Sequence, residues 1–465
     1  MQRSYQRSYR QSEALLLVFT SLIAILSYLL VAAAIQVRQG IDPLLSISGA
    51  TLADMIPPLL VVAGLVCLHV FMRMRRVEIE QIILPIVGIL LAIGLAMIFR
   101  LRGSEGVWQQ ILRGFLPGLA IASAFILKPQ LVEQVRRWTL PISVFGLLLP
   151  FATALFGVVD ETGARLALKL GPLPAIQTSE MIKIALVIFL AWFVDREGEQ
   201  VEGRARVVLG WLRMPAIRHF IPGILFVSMA TLALVQMSDF GAVLILGFLF
   251  VTMLYAGFET RLFATIAGIG LILALLVGLV LAFTWEIPTV IQHRFIAFVD
   301  PWSTAEIIID GRPTGITIAE GPGYQIQQAI YAIVAGGLTG TGLGFGSPGY
   351  VPLASSDFIF AAIIEEMGAA TGIVILVLFI ILLLRILRVA MRLPRGQVFE
   401  RLLLIGIGIH LFTQVFVMVG GTLNIMPLTG VTIPFLSQGG AALMINMMEI
   451  GIVLAIAQRL EMQLL

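Results

Sequence analysis

Apolar residues in this chain of 465 fall into long uninterrupted runs, and charged residues gather in the short gaps between them. The runs cover approximately residues 14–36, 56–74, 81–99, 111–127, 138–158, 180–194, 219–236, 240–257, 262–283, 357–384, 402–421 and 439–458. A helix rises about 1.5 Å per residue, so about 20 apolar residues cross the hydrocarbon of a bilayer. The pattern therefore predicts an all-α polytopic membrane protein with about twelve transmembrane helices. Composition agrees: the chain is 59% hydrophobic and 12% charged, with a mean hydropathy of +1.01, whereas soluble domains are roughly 25% charged. The first run exceeds the roughly 7–15 residues of a signal-peptide core and no small-x-small cleavage pattern follows it, so it is expected to remain as a membrane helix. Cys67 is the only cysteine and lies inside an apolar run, which leaves no intramolecular disulfide and no thiolate metal cluster.

The net charge of +3 says less than its distribution. With a cytoplasmic N-terminus, inner segments hold 21 Lys and Arg against eight in outer ones, which fits the positive-inside rule and places both termini in the cytoplasm. Residues 284–356 then form an outer loop much longer than the about 12–15 residues of ordinary connections. Its first part, "RFIAFVDPWSTAEIIIDGRPTGITIAEGPGYQ" (294–325), carries the carboxylates Asp300, Glu306, Asp310 and Glu320. Its second part reads as an amphipathic helix, "YQIQQAIYAIVAGGL", followed by the Gly-rich turn "GGLTGTGLGFG", a combination suited to a membrane surface.

Three stretches put polar groups where lipid is expected. In "QTSEMIKIALVIFLAWF", Glu180 and Lys183 share one helical face. Each charge alone costs about 2.5–3.5 kcal/mol at a bilayer centre. They form either an ion pair that stitches the bundle or part of a polar cavity in which Lys183 meets an anionic lipid headgroup. In "SDFIFAAIIEEMG", Asp357 is expected to cap a helix start. Glu365 and Glu366 point about 100° apart, so one of them is expected to face the bundle interior; packing and chemistry stay open for it. In "NIMPLTGVTIPFLSQGG" (424–440), Pro427 and Pro434 interrupt any helix, which predicts a re-entrant or cavity-lining segment. Gly439 and Gly440 then open the last helix, where free N–H groups suit phosphate or, equally, close helix packing.

The catalytic inventory is short. His69 and His410 lie in apolar runs, His219 at a run start and His293 in the loop; no HExxH, P-loop or zinc spacing occurs, which argues against an ATP-driven transporter. An outward polar loop with acids, basic residues and a Gly-rich platform suits a lipid-linked substrate whose sugar and phosphate emerge on the outer face.

Several segments, in order, resemble the SEDS family (shape, elongation, division and sporulation), typified by RodA, FtsW and SpoVE. "GARLALKLGPLPAIQTSEMIKIALVIFLAWF" is similar to a family segment containing QPSE..K, with Gln177, Ser179, Glu180 and Lys183 retained and Thr178 in place of proline. "VQMSDFGAVLIL" resembles lQPDLGTA and keeps Gln236, Asp239 and Gly241. "GPGYQIQQAIYAIVAGGLTGTGLGFG", "ASSDFIFAAIIEEMGAATG" and "NIMPLTGVTIPFLSQGGAAL" correspond almost without interruption. The resemblance covers about residues 81–465 and implies a ten-helix core, with residues 1–80 as a two-helix N-terminal extension.

It further implies a peptidoglycan glycosyltransferase of the bacterial cytoplasmic membrane that polymerises lipid II during elongation or division beside a class B penicillin-binding protein. Its partners would be that protein, lipid II and membrane lipid, with no nucleic acid. The alternatives are a non-catalytic scaffold and a lipid II translocator. Implied substrate-binding positions are Gln177, Glu180, Lys183, Arg294, Tyr324, Gln325, Asp357, Ser437, Gly439 and Gly440. A divalent cation, Mg or Mn, would assist the leaving pyrophosphate, although no ligand cluster marks a metal site. In the family's loop the essential acid follows the Asn or Asp of an N/D-P pair by four residues. Here Asp300 and Pro301 supply the pair, and the acid's slot holds Thr304. About fourteen extra residues then intervene before "GPGYQ". Asp310, at an Asp-Gly hairpin signal, leads as the substitute catalytic acid, followed by Glu320 and Asp300, with no acid at all as the remaining alternative.

Overall fold

The computed structural model describes residues 2–40, 52–75, 80–158, 167–169, 176–203, 206–208, 212–214, 221–258, 270, 295–309 and 312–464. Helices dominate, in the order α1 Gln2–Arg38, α2 Leu52–Met74, α3 Ile83–Gln110, α4 Leu116–Leu127, α5 Leu131–Arg137, α6 Thr139–Phe156, α7 Thr178–Gly203, α8 Ile221–Gln236, α9 Phe240–Gly257, α10 Pro322–Gly336, α11 Ile359–Arg392, α12 Val398–Thr422 and α13 Gly440–Leu464. Among the described residues eight helical stretches are long and apolar enough to cross a membrane. The expected run at 262–283 lies outside the described residues. Among the described residues three two-stranded antiparallel ribbons supplement the helices, β1 Ala167–Leu168 with β2 Ile176–Gln177, β3 Arg206–Val208 with β4 Leu212–Met214, and β5 Glu306–Ile309 with β6 Arg312–Thr317, where Ile309 lies opposite Arg312; only the last was foreseen. Asp310 and Gly311, the expected Asp-Gly turn, lie outside the described residues.

Burial explains which helix sits where. From Ile182 to Val194, α7 is buried on nearly every side and touches α6, α8, α9, α12 and α13. A helix apolar all round belongs inside a bundle. In contrast, α1, α6 and α11 expose stripes of large apolar residues such as Leu15, Phe19, Phe145, Leu148, Ile373 and Leu384, which suit hydrocarbon.

The runs expected at 81–99 and 111–127 follow one another across a kink with non-helical angles at Gly103 (φ 64°, ψ −166°), and a five-residue π turn at Ile111–Phe115 opens the second. Gly94 packs against Phe435 and Leu436, and Gly114 against Gly440. Twenty residues of straight helix would span about 30 Å. Both contacts fall on the 435–440 segment, so the chain reverses at Gly103, and the two expected spans stand as separate arms.

The second break holds the loop to the bundle. Inside α11, Gly368 takes φ 83° and ψ 160°, a region open essentially to glycine alone. The freed backbone bonds to the Gly-rich turn: Ala369 and Ala370 N–H donate to Gly337 and Leu338 carbonyls, and Thr341 and Gly342 N–H donate to Glu365 and Glu366 carbonyls. A Cβ on Gly368 or Gly340 would overlap the opposing backbone. A membrane interior has no water to rescue unpaired N–H and C=O groups, so this exchange is what permits the break. Gly368→Ala is expected to cost more than the about 1–3 kcal/mol of the backbone strain alone, seen as lost monodisperse protein in detergent and a lowered unfolding temperature.

Candidate functional site

Among the described residues two polar centres bear on the candidate site. The deeper one is built on α7. Lys183 Nζ donates to Glu180 Oε1 at 2.7 Å, and both side chains are buried. Gln414 Nε2, from α12, donates to Glu180 Oε2 at 3.2 Å. Asp239 caps α9 by accepting the Ala242 N–H at 3.0 Å and lies beside Ser179, Lys183 and Glu180. One helical turn from Gln414, His410 Nδ1 meets Glu449 Oε1 at 2.7 Å, with both side chains fully buried. Thr178 stands where the resembled family has proline, and its hydroxyl pairs with that of Thr153 at 2.8 Å, tying α7 to α6.

Glu180 and Lys183 therefore form a sealed ion pair, the geometry of the bundle-stitching alternative. Three carboxylates share this centre with one lysine and one histidine. Such a surplus inside a low-dielectric bundle is tolerable only with the pairing and hydrogen bonding just described. Sequence reasoning left Gln414 and Glu449 unnamed and gave His410 no role beyond its place in an apolar run. A lone Glu449 within "MINMMEIGIVLAIA" was the available signal.

The second centre lies at the end of the bundle that carries the loop. Ser437 Oγ donates to the Ser356 carbonyl at 2.8 Å and accepts the Ile433 N–H at 2.9 Å. Gln438 N–H donates to the Ser355 carbonyl. Gln110 bridges the start of α13, donating to the Ser437 carbonyl and accepting the Gly439 N–H at 2.9 Å. The Gly439 N–H is thus already engaged by protein. Exposed Arg113 packs on Gly440, and exposed Arg102 donates to Ser355 Oγ at 3.2 Å. These arginines, unnamed from the sequence, flank the start of α13. The 424–440 segment is irregular throughout, as its prolines demand.

Two expectations need correction. Asp357 does not cap α11, which begins after Phe358 without a side-chain cap; its carboxylate lies beside Gly430. Nor do Glu365 and Glu366 divide between interior and surface. Glu366 Oε1 accepts from Arg100 Nε at 3.0 Å and its Oε2 accepts the Gly344 N–H at 2.8 Å, while Glu365 Oε1 accepts the Ser347 N–H at 2.6 Å. Both grip the Gly-rich turn, because that turn wraps around the α11 break and meets both directions.

The loop has its own small core, in which Ala297, Ile318 and Ile326 are buried with Ile307 and Ile330 packed on them. Gln327 Nε2 fastens the Pro301 carbonyl at 2.7 Å, and Asn424 Nδ2 fastens the Phe298 carbonyl at 3.1 Å, the latter linking loop to bundle. Asp300 is exposed and its Oδ1 accepts the Trp302 N–H at 3.1 Å. Glu320 is exposed, and hydrogen bonds from the Thr317 N–H and hydroxyl hold its carboxyl below the usual range. Thr304 and Tyr324 are exposed; Gln325 and Gln177 are half-buried. Asp310 and Arg294 lie outside the described residues. Among the described residues no group of three or more His, Cys, Asp or Glu is arranged to hold a metal.

A family model for the cell cycle proteins FtsW, RodA and SpoVE matches residues 75–462. The chain belongs to the FtsW/RodA/SpoVE family. The peptidoglycan glycosyltransferase RodA of Mycobacterium bovis is 30% identical over 463 residues, covering 97% of this chain and 90% of that protein. Stage V sporulation protein E of Bacillus subtilis is 28% identical over 404 residues, covering 83% and 99%. Of solved structures, a chain from a peptidoglycan synthase complex that coordinates polymerization and crosslinking superposes with a TM-score of 0.63 at 22% identity, covering 81% of this chain and 97% of its own. Thermus thermophilus RodA superposes at 0.54 and 22%, covering 81% and 95%. At such identity these show a shared fold. The family model starts at residue 75, yet the mycobacterial match takes in most of α1 and α2 as well.

For this FtsW/RodA/SpoVE chain the ion pair on α7 yields a direct test. Lys183→Met strands Glu180 as an uncompensated buried charge and is expected to destabilise by about 3–5 kcal/mol. Lys183→Met with Glu180→Gln should recover most of that, read as unfolding temperature in detergent; equal losses in both variants would contradict the pairing.

Proposed function

We infer that this chain is a peptidoglycan glycosyltransferase of the bacterial cytoplasmic membrane that elongates glycan from lipid II. Family membership across residues 75–462 supports the reaction class. One observation carries it to a site: the exposed Arg102 and Arg113 flank the start of α13, at the end of the bundle that bears the polar loop. Both termini are cytoplasmic in this reading, so the loop end faces outward, where lipid II presents its sugars.

The reaction is attack by a GlcNAc 4-hydroxyl on MurNAc C1, with cleavage of the bond from C1 to undecaprenyl pyrophosphate. A carboxylate accepts the hydroxyl proton, and cations meet the charge that develops on the leaving pyrophosphate. Arg102 and Arg113 suit the second task through bidentate contact with phosphate oxygens. Because no three-ligand cluster occurs among the described residues, a divalent cation taking part would arrive coordinated largely by the pyrophosphate itself.

For the first task we assign Asp310. Asp300 is committed to a local turn with Trp302. Glu320, its pKa lowered by Thr317, is a weaker base than one tuned toward neutral pH. Asp310 falls in the sequence between β5, which ends at Ile309, and β6, which begins at Arg312. The partner is a class B penicillin-binding protein, a reading supported by the synthase complex whose chain shares this fold.

Polymerisation of lipid II by the purified protein tests the assignment. Asp310→Ala is expected to lower the rate by about 10²–10⁴-fold, and Glu320→Ala and Asp300→Ala to lower it far less. Full activity in Asp310→Ala removes the assignment. A wild-type protein that makes no glycan yet co-purifies with its penicillin-binding partner would instead establish a scaffold, the reading that Thr304 in the acid's slot favours.

A further inference from the structure

The two N-terminal helices lie outside the family match, yet they are fastened along the whole of α3. Tyr28 stacks on Phe99 with ring centroids 4.2 Å apart, Thr20 packs into the notch at Gly88, and Asp54 accepts a hydrogen bond from Ser104 just past the α3 break. At its end, α1 reaches the Gly-rich turn. Arg38 Nη2 donates to the carbonyls of Phe345 and Gly346, each at 2.6 Å, and Ala34 presses so closely on Gly344 that a side chain at 344 would overlap it.

Arg38 does not act there alone. Arg100 Nη2 donates to the same Gly346 carbonyl at 3.0 Å while its Nε pairs with Glu366. Glu366 in turn accepts the Gly344 N–H, and Glu365 the Ser347 N–H. The turn is therefore gripped from three sides, by α3, by α11 and by the extension. From Ser347 the chain needs only eight residues to reach Ser355, whose hydroxyl accepts from Arg102 and whose carbonyl accepts the Gln438 N–H. Displacing the turn would displace the seat of Arg102 and the approach to α13.

We propose that Arg38 of the N-terminal extension is a positioning residue for glycosyl transfer, clamping the Gly-rich turn so that Ser355 and Arg102 stay in register with the start of α13. The inference rests on the glycosyltransferase reading for its kinetic consequence, but the clamp itself is measurable without activity. A guanidinium shared between two carbonyls is a charge-assisted bond, so its loss should loosen the turn rather than unfold the bundle.

The experiment uses the full chain with Arg38→Ala, Arg38→Gln and Arg38→Lys, followed by hydrogen exchange of the 344–347 amides, unfolding temperature and lipid II polymerisation. Arg38→Ala and Arg38→Gln are expected to speed exchange at these amides about tenfold, with the unfolding temperature nearly unchanged. They should lower kcat several-fold with little change in KM. Arg38→Lys should restore part of both effects, since an ammonium still donates to a carbonyl. Unchanged exchange in both neutral variants overturns the clamp. Faster exchange with unchanged kcat overturns the positioning role. If wild-type protein lacks polymerase activity, faster exchange together with lost co-purification of the penicillin-binding partner supports the clamp on the scaffold reading, and retained co-purification overturns its functional role.

Discussion

A bundle in a bilayer must satisfy every backbone group from within, and the exchange of hydrogen bonds between the Gly-rich turn and the break in α11 is where this chain meets that constraint. Breaking a helix at Gly368 frees donors and acceptors that lipid cannot satisfy. The turn at 337–342 supplies the partners, and only glycines allow the two backbones to come close enough. Everything at the loop end hangs on this join. It fixes where α10 leaves the bundle, where Ser347 re-enters it, and hence where Ser355 meets Ser437. Glu365 and Glu366 add a second layer by capturing N–H groups of the same turn. Their adjacency in sequence, which looks redundant on a straight helix, becomes useful because the turn curves around both.

The buried polar centre on α7 obeys a different economy. A charge inside the membrane survives through its partners, and here each has one: Lys183 with Glu180, Glu180 with Gln414, His410 with Glu449. The centre ties α7, α9, α12 and α13 together in the middle of the bundle. The loop-end centre sits where those helices emerge, with arginines at an exposed rim. A rigid polar core below and a cationic rim above form a division of labour. The core holds the helices in register, and the rim presents exposed arginines.

Legibility in the sequence followed the range of the interaction. Apolar runs announce spans because burial in lipid depends on composition over about 20 residues, and α1, α2, α6, α9, α12 and α13 fall close to their expected runs. The amphipathic α10 and the β5–β6 turn were equally local signals. What escaped was long-range. Arg38 and Arg100 are ordinary charges at helix ends until they converge on Gly346, from positions some three hundred and two hundred and fifty residues away in sequence. Asp357 matched a capping pattern, but the helix starts at Ile359 with Phe358 at the cap position and no side-chain cap. Arg102 and Arg113 gained meaning only when the reversal at Gly103 brought both arms against the 435–440 segment.

The loop shows why extra residues are physically tolerable here. Had residues 300–320 been pinned to the bundle, extra residues would have torn the site. Instead they pack on a private core of Ala297, Ile318 and Ile326, and the hairpin closes on itself between Ile309 and Arg312. The bond from Asn424 to the Phe298 carbonyl ties the start of this unit to the helices, and the Gly-rich turn that follows α10 ties its end to α11. An insertion in such a unit changes which residue stands at its tip without changing where the unit is anchored. The anchor at Phe298 therefore holds the start of this unit in place whichever residues stand between Ile309 and Arg312.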